Sequence, residues 1–338
     1  MRVTDFPALE EVIGGGTLDA GASEQVFNDI MSGKVPEAEL ERFLVAQAER
    51  GPTVPEIVGA VRSMRAHMRP VAAPDGAIDL CGTGGDGHGT LNISTAVSFV
   101  VAACGVPVAK HGNRSASSKS GAADILEALG VRINLEPARA EQVLANTGIV
   151  FLFAQTHHPA MKHVGPVRAR LKRRTIFNLL GPLASPARVK RQLAGVFAKE
   201  WLVPYAEALR DLGSVHAMVA HGADGLDEIT TTDITFVTEL KDGAITARQL
   251  TPEDVGMRRA ILAALKGGNA MDNAAALTRL FEGEAGAYRD IVLLNAGAAL
   301  MVADRAGDIK EGVSLAARAL ARGAAKAKLQ DLITASNA

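Results

Sequence analysis

The stretch "IDLCGTGGDGHGTLNIST", residues 78–95, decides the fold class because it places a glycine-rich turn between two apolar segments. The first segment has the pattern of a short strand, and the last has that of a buried helix. Within the turn, Gly82, Gly84 and Gly87 have the spacing of a dinucleotide-binding loop. Such a loop brings backbone N–H groups and a helix N-terminus close to phosphate oxygens. The stretch therefore predicts a phosphate site between a strand and a helix.

The second predicted strand argues against a nicotinamide cofactor. In a dinucleotide site, an acidic residue at the end of the second strand binds the ribose hydroxyls. Here the strand "VPVAK" ends at Lys110 and continues as "HGNRSASSKSG", which is rich in cations and hydroxyls. The acid Asp86 lies inside the first loop, where it would repel a pyrophosphate but suit sugar hydroxyls. Two successive strand ends thus predict a site for a sugar phosphate.

Alternating strands and helices continue along the chain from residue 78. Strands are predicted at "VPVAK", "VRINL" (131–135), "IVFLFA", "QLAGVF" and "VHAMVA", and a hairpin is predicted to turn at Asp242-Gly243. Helical patterns separate most of these strands, which is typical of a parallel sheet. Residues 1–72 and a basic, proline-punctuated segment near 160–187 have only helical patterns, with Thr53 as a candidate N-cap. We therefore expect an α/β protein with a central, largely parallel sheet flanked by helices and a small all-helical N-terminal part.

Composition excludes several classes of function. The 338 residues are 48% hydrophobic and 22% charged, which is ordinary for a globular protein. Aromatic residues make up 4% and the net charge is −1, so we expect no nucleic-acid partner. No apolar run is long enough to span a membrane, and the N-terminus lacks the apolar core of a secretion signal. The two cysteines form no disulfide framework, so we expect a cytoplasmic protein without a membrane partner.

A second candidate element is "HGADGLDEIT", which follows the predicted strand "VHAMVA". Its adjacent acids Asp227 and Glu228 suit Mg²⁺, which usually takes one or two carboxylates together with water and substrate phosphates. The alternative is a solvated acidic turn, and the motif alone leaves both interpretations open. Likewise, the cations of residues 168–174 are typical of a solvated helix face, and no single one stands out by spacing.

Four blocks together resemble one family. They are "DLCGTGGDGHGTLNIST", "KHGNRSASSKSGAADILEALG", "HHPAMKHVGPVRARLKRRTIFNLLGPL" and "HGADGLDEI", and in this order they resemble the anthranilate phosphoribosyltransferase family across nearly the whole chain. The resemblance implies Mg²⁺-dependent transfer of a phosphoribosyl group from phosphoribosyl pyrophosphate (PRPP) to the amine of anthranilate, in tryptophan biosynthesis. It also implies a helical domain of residues 1–72, joined in space by an insertion at about 160–187, and a catalytic α/β domain of residues 73–338. A homodimer formed through the helical domain is implied as well.

The resemblance also implies a role for individual positions. Those implied to bind PRPP are Gly82, Gly85, Asp86, Thr90, Asn92, Ser94, Thr95, Lys110, Ser117 and Ser118. Those implied to ligate magnesium are Ser94, Asp227 and Glu228, and the catalytic set is Lys110, Asp227 and Glu228. Those implied to bind anthranilate are Gly82, His111, Asn113, Arg168 and Pro182. The guanidinium of Arg168 suits the carboxylate of that substrate.

The chain departs from the family pattern at a few positions. Ala122 stands where serine is frequent, Lys172 where glycine is more usual, and Ser185 where asparagine is common. We expect these differences to tune the site. Two other functions remain open from the sequence. One is a pyrimidine nucleoside phosphorylase, which would use phosphate and a nucleoside. The other is a non-catalytic relative that binds nucleic acid through residues 168–174.

Overall fold

The computed structural model describes residues 6–115 and 119–338, so the predicted positions Ser117 and Ser118 lie outside the described residues. The helices are α1 (Pro7–Ile13), α2 (Ala20–Met31), α3 (Glu37–Arg50), α4 (Val54–His67), α5 (Ile93–Ala103), α6 (Ala122–Ala128), α7 (Pro137–Thr147), α8 (Ala154–His157), α9 (Gly165–Leu171), α10 (Phe177–Leu183), α11 (Leu202–Asp211), α12 (Ala270–Phe281), α13 (Ala287–Val302), α14 (Ile309–Ala321) and α15 (Ala324–Asn337). The strands are β1 (Ile78–Asp79), β2 (Val108–Gly112), β3 (Ile149–Phe153), β4 (Arg191–Gly195), β5 (His216–Gly222), β6 (Thr235–Lys241) and β7 (Ala244–Leu250). Short 3₁₀ helices cover Pro159–His163, Lys199–Trp201, Pro252–Val255 and Leu262–Leu265.

The strands form one sheet in the order β3-β2-β1-β4-β5-β6-β7. Strands β1 to β5 run parallel, and β6 and β7 are antiparallel to their neighbours. Ile78 of β1 pairs with Val108 of β2 on one side and with Arg191 of β4 on the other. The strand order reverses between β1 and β4, and ligands of open α/β sheets bind at such a reversal. The prediction of a largely parallel sheet is confirmed.

The sheet separates two apolar layers because its side chains alternate between its faces. In β5, Met218 and Ala220 belong to one cluster, and Ala217 and Val219 belong to the other. The first cluster includes the apolar side chains of α5, α7, α13, α14 and α15. Helix α13 is buried along most of its length, so it needs an apolar surface on nearly every side.

The second cluster joins the N-terminal helices to one face of the sheet. It contains apolar residues of α1 to α4, α9 to α11 and strands β4, β5 and β6. The ring of Phe27 in α2 lies edge-on to Phe43 of α3 at 5.9 Å and to Phe177 of α10 at 5.7 Å. The segment between β3 and β4 therefore packs with the N-terminal helices, although more than a hundred positions separate Phe27 from Phe177 in sequence.

Two local predictions are confirmed. Thr53 caps α4, and its side chain and that of Glu56 form a reciprocal capping box. The hairpin between β6 and β7 turns at Asp242 and Gly243, both with positive φ (50° and 83°). In two-residue hairpins, a turn with positive φ at both positions matches the twist of the strands.

The predicted strand at residues 131–135 is wrong. Val131, Ile133 and Leu135 are buried in alternation, which produced the strand-like pattern. Their backbone, however, pairs with no strand: the Leu135 N–H donates to the Ile133 carbonyl, and the Arg132 N–H donates to Ser336 Oγ at 3.1 Å. The segment is an irregular connection from α6 to α7. The side chains of this segment are thus buried in alternation although its backbone does not pair with a neighbouring strand.

Within the described ranges, no helix is both apolar enough and long enough to cross a bilayer.

Candidate active site

The glycine loop after β1 is fixed to the end of β4. The Thr83 N–H donates to the Gly195 carbonyl at 2.8 Å, and the Phe197 N–H donates to Thr83 Oγ1 at 3.0 Å. These bonds cross the point where the strand order reverses. The loop therefore lies where the fold leaves a crevice at the carboxyl ends of the parallel strands.

The acidic segment after β5 touches the same loop. The Gly84 N–H donates to Asp227 Oδ2 at 2.7 Å. A Cβ atom at Gly82 would lie 2.8 Å from this oxygen, and one at Gly195 would lie 1.4 Å from the Asp227 carbonyl oxygen. Any side chain at Gly195 would displace Asp227. The two motifs that the sequence keeps apart by well over a hundred positions form one site.

Carboxylates crowd this site. Burial and the neighbouring Asp86 raise the pKa of Asp227 above its usual range. Burial, with Asp227 as the next cause, raises the pKa of Glu228 to about 8. Lys110 and the Ser94 amide partly offset the shift of Glu228. A bound cation would lower the pKa values of these acids, because a nearby positive charge favours their ionised form.

Lys110 is the central residue of β2, which continues to Gly112, two residues beyond the predicted strand end, and its side chain lies between the glycine loop and the start of α5. Its ammonium group donates to the Leu80 carbonyl at 2.5 Å and to Ser94 Oγ at 3.4 Å. The side chain is buried, and Asp79, which is fully buried beside it, has a pKa raised by burial to about 6. Lys110 lowers that pKa. The structure thus brings Lys110, Ser94 and Glu228 together, and their roles in binding and catalysis stay predictions.

The start of α5 supplies further polar groups. Asn92 is the N-cap residue, so Ser94 and Thr95 lie in the first turn, where backbone N–H groups lack partners within the helix. Asn92 is held in place: its Oδ1 accepts from Asn273 Nδ2 at 2.8 Å, and its carbonyl accepts from the Tyr288 hydroxyl at 3.2 Å. Thr95 is buried in this turn.

The far side of the loop is held by two cations that the sequence did not single out. Lys266 Nζ donates to the His88 carbonyl at 3.0 Å, and Thr90 forms a β-bridge with Lys266. Arg174 donates to the Gly85 carbonyl. Asp86 bonds within the loop, where its Oδ1 accepts from the His88 N–H at 3.1 Å. Neither Lys266 nor Arg174 has a spacing signal, because each reaches the loop only through tertiary structure.

His111 and Pro182, two of the predicted anthranilate positions, lie on adjoining segments. His111 Nδ1 donates to the Gly181 carbonyl at 3.0 Å, which leaves Nε2 without a proton in the neutral ring. Burial, and then His158, lower the pKa of His111 well below its usual value. The Pro182 carbonyl accepts from Gln192 Nε2 at 2.8 Å. The ring of His111 is therefore neutral and fixed beside α10.

Arg168 and Asn113 are not linked to the loop by any hydrogen bond found between described residues. The guanidinium of Arg168 lies 5.5 Å from the centroid of the Phe177 ring, and burial lowers the pKa of the arginine. Within the described ranges, no acid pairs with Arg168, which leaves its charge available to an anion. Asn113 Oδ1 accepts from the Arg114 N–H at 2.8 Å. Their role in binding anthranilate stays a prediction.

The positions that depart from the family pattern have structural settings of their own. Lys172 ends α9 with φ of 49°, a left-handed conformation that explains why glycine is more usual there. Ser185 is buried, and its hydroxyl lowers the pKa of Asp79. Ala122 is the first residue of α6.

The donor set fits magnesium better than a metal held by protein alone. In the part of the chain that the structure describes, there is no cluster of three or more His, Cys, Asp or Glu side chains arranged to hold a metal. Mg²⁺ needs no such cluster, because waters and substrate phosphates complete its shell. Asp227 and Glu228, crowded and with raised pKa values, are the two carboxylates that could hold such an ion.

Comparisons with known proteins agree with this geometry. A model of the glycosyl transferase family α/β domain matches residues 75–326, and one of the helical bundle domain of the same family matches residues 6–68. An anthranilate phosphoribosyltransferase of Rhizobium meliloti is 56% identical over 332 residues, covering 98% of each chain, and one of Azorhizobium caulinodans is 54% identical, covering 98% of this chain and 96% of its own. A solved anthranilate phosphoribosyltransferase from Thermus thermophilus is 44% identical with a TM-score of 0.94, covering 98% of this chain and 99% of its own. The Saccharomyces cerevisiae enzyme, solved in complex with PRPP and Mg, shares the fold with a TM-score of 0.91 at 24% identity, covering 100% of this chain and 99% of its own.

Proposed function

The chain belongs to the anthranilate phosphoribosyltransferase family of glycosyl transferases, and on that premise we propose that it transfers the phosphoribosyl group of PRPP to the amine of anthranilate. The products are N-(5-phosphoribosyl)anthranilate and pyrophosphate, and the pathway is tryptophan biosynthesis. The observation that carries the proposal is the bond from the Gly84 N–H to Asp227 Oδ2. It unites a phosphate loop and a pair of acids in one crevice.

PRPP binds between the glycine loop and the start of α5 in this proposal. The first-turn amides of Ser94 and Thr95 and the ammonium of Lys110 present positive charge to the phosphates. Asp86 accepts hydrogen bonds from ribose hydroxyls. The remaining proposed contacts come from Gly82, Gly85, Thr90, Asn92, Ser117 and Ser118.

Asp227 and Glu228, with the Ser94 hydroxyl, would hold Mg²⁺. When bound, the ion neutralises charge on the pyrophosphate group. The protein's own contribution at this point is to hold both acids at the end of the glycine loop and to keep Lys110 beside them. Lys110 stabilises the negative charge that grows on the leaving group.

The reaction needs no nucleophile from the protein. The bond between ribose C1 and the pyrophosphate oxygen breaks, and the bonding electrons leave with pyrophosphate. The anthranilate nitrogen forms the new bond to C1 and then loses a proton. Because the lone pair of an aromatic amine is partly delocalised into its ring, we propose a dissociative, oxocarbenium-like transition state. The chain accelerates it by positioning and charge stabilisation.

The acceptor lies next to α9 and α10. Arg168 binds the anthranilate carboxylate, and Asn113, Gly82, His111 and Pro182 form the surrounding surface. The unpaired charge of Arg168 among the described residues supports this assignment, because an arginine fork matches a carboxylate.

We propose the domain boundaries and the oligomeric state from the resemblance to the same family. Residues 1–72 and the insertion at about 160–187 form the helical domain, and residues 73–338 form the catalytic domain. The shared apolar layer of α1 to α4 with α9 and α10 supports this division. We also propose a homodimer through the helical domain and a cytoplasmic location, the latter supported by two cysteines that form no disulfide.

Loss of anthranilate fluorescence tests the function. We expect the signal to fall when the protein, PRPP and Mg²⁺ are mixed with anthranilate, and to stay constant when EDTA is added or PRPP is omitted. A constant signal with all components would refute the acceptor, and activity unaffected by EDTA would refute the metal role. Release of a free base from a pyrimidine nucleoside and phosphate would instead indicate the phosphorylase, and tight, salt-sensitive DNA binding would indicate the non-catalytic alternative.

A further inference from the structure

Arg174 connects three separate segments at the edge of the crevice. It follows α9 and precedes α10, so it belongs to the segment that carries Arg168. Its guanidinium donates to the Gly85 carbonyl in the glycine loop. The same guanidinium lies 4.2 Å from the centroid of the Phe197 ring, just beyond β4. Phe197 in turn bonds through its N–H to Thr83 at the start of the loop.

The contact with Gly85 determines how one peptide of the loop is oriented. In a trans peptide, the C=O and the following N–H point in opposite directions. Because the Gly85 carbonyl faces Arg174, the Asp86 N–H faces away from it. Gly84 and Gly85 both have positive φ (66° and 82°), conformations that glycine adopts freely and leaves freely. The loop therefore depends on outside contacts to keep one arrangement.

The loop has an anchor on each side of this flexible pair. The Gly84 N–H is held by Asp227, and the Gly85 carbonyl is held by Arg174. Asp227 belongs to the proposed metal site, whereas Arg174 belongs to the helical insertion. Removing Arg174 leaves the acid anchor in place but frees the peptide between Gly85 and Asp86.

We propose that Arg174 is a positioning residue, which holds the glycine loop in the form that binds PRPP and ties it to the segment that binds the acceptor. The identity of the ligand rests on the proposed function. The contact itself does not, because it joins residues of this chain only.

Arginine is required here for its shape as well as its charge. A guanidinium donates from its edge while its face lies on an aromatic ring. A lysine ammonium keeps the charge but has no planar face, so it cannot make both contacts in the same way. If Arg174 instead contacted the pyrophosphate directly as a simple charge, lysine would serve. The substitution Arg174→Lys therefore separates positioning from direct binding.

Steady-state kinetics test the proposal with four variants and one control variant. We expect Arg174→Gln and Arg174→Lys to raise the KM for PRPP about five- to tenfold, as loss of a cation–π contact and a charge-assisted bond implies, with kcat and the KM for anthranilate changed less than about twofold. Phe197→Leu should raise the same KM, and the double variant Arg174→Gln/Phe197→Leu should add little. Arg173→Gln is the matched control, because Arg173 is exposed and pairs with Glu49 at 3.4 Å.

Amide hydrogen exchange without ligand gives a second test. The amides of residues 84–88 should exchange faster in Arg174→Gln and Arg174→Lys than in the parent or in Arg173→Gln. A parental KM in Arg174→Lys, or unchanged exchange in both Arg174 variants, would overturn the proposal. If the parent protein proves inactive, the proposed function fails, and the exchange experiment still decides whether Arg174 holds the loop.

Discussion

At the scale of single residues, the site brings negative charges together. After burial, Asp86 is the next cause that raises the pKa of Asp227, and Asp227 is the next cause that raises the pKa of Glu228, which Lys110 partly offsets. Each raised pKa means that the folded protein holds a proton which the unfolded chain would release. The free enzyme therefore gives up stability at neutral pH to keep these acids in position, as functional sites often do.

Glu228→Gln should stabilise the free protein in a pH-dependent way. The pKa of Glu228 rises from 4.5 to about 8 on folding, so its ionisation lowers the free energy of unfolding as pH increases through this window. The gain of the variant over its parent should grow from pH 4.5 to about 8 and stay level above that. Chemical unfolding at several pH values, without metal, measures it. A gain that is constant with pH would contradict the shift, and we expect PRPP turnover in the variant to fall by about 100-fold, as for loss of one group that stabilises charge in the transition state.

Residue roles were predictable where the signal lies in a local motif. Ser94, Lys110 and Glu228, which the sequence assigned to one site, lie close together in the structure because segments that follow parallel strands meet at one edge of the sheet. Arg174 was missed because its neighbours in sequence are also basic, and nothing local distinguishes the one that reaches the Gly85 carbonyl. The left-handed backbone conformation of Lys172 could not be predicted from the sequence either, because only the structure shows its positive φ.

At the scale of elements, the carboxyl ends of β1, β4 and β5 determine where the site is formed. The loop after β1 crosses to the end of β4, and the segment after β5 returns to the same place. The backbones approach so closely at Gly195 that no Cβ is tolerated. This glycine looks like any strand residue in the sequence "QLAGVF".

Gly195→Ala should damage the site and the fold together. The new Cβ would lie 1.4 Å from the Asp227 carbonyl oxygen, so the acidic segment must move. We expect unfolding to become easier by about 1–3 kcal/mol, as for other overpacked positions, and turnover to fall sharply. Gly165→Ala is the control, because a Cβ there meets nothing within 4 Å. Thermal unfolding and the fluorescence assay measure the two effects, and parental turnover in Gly195→Ala would contradict the prediction.

The strand prediction at residues 131–135 failed because burial and strand pairing diverge there. The alternating pattern at residues 131–135 reported correctly which side chains are buried. It did not report whether a neighbouring strand exists, because that depends on the path that the connection from α6 to α7 takes through the fold. By contrast, the hairpin at Asp242-Gly243 was predictable, since its turn geometry is set by the two residues themselves.

At the scale of the whole molecule, two apolar layers enclose the sheet, and buried histidines lie where the helical insertion leaves β3. His157 and His158 are buried, and the rings of His158 and His111 are 5.1 Å apart. Burial, and then His157, lower the pKa of His158 to about 4. Protons taken up there would place charge inside the junction of the two layers.

The protein should lose stability in mild acid for this reason. A histidine whose folded pKa lies below 6.5 contributes stability at neutral pH, and that contribution is lost as pH falls from 6.5 to about 4. His158→Gln should therefore lose less stability than its parent across this window. Denaturant unfolding at pH 8, where the histidine is neutral in both states, gives the cost of the substitution alone. Equal losses in the parent and the variant would contradict the assignment.

The shared layer of α1 to α4 with α9, α10 and one face of the sheet limits how this chain can be recombined with its relatives. A chimaera that exchanged residues 6–68 alone would pack Phe27 of one parent against the residue that stands at the position of Phe177 in the other parent. In such a hybrid, the apolar surfaces of α1 to α4 and of α9 and α10 would not match unless the insertion came from the same parent as the first helices. The N-terminal helices and the insertion must therefore come from the same parent. Crossover points that keep the packing must lie before and after each of these two segments.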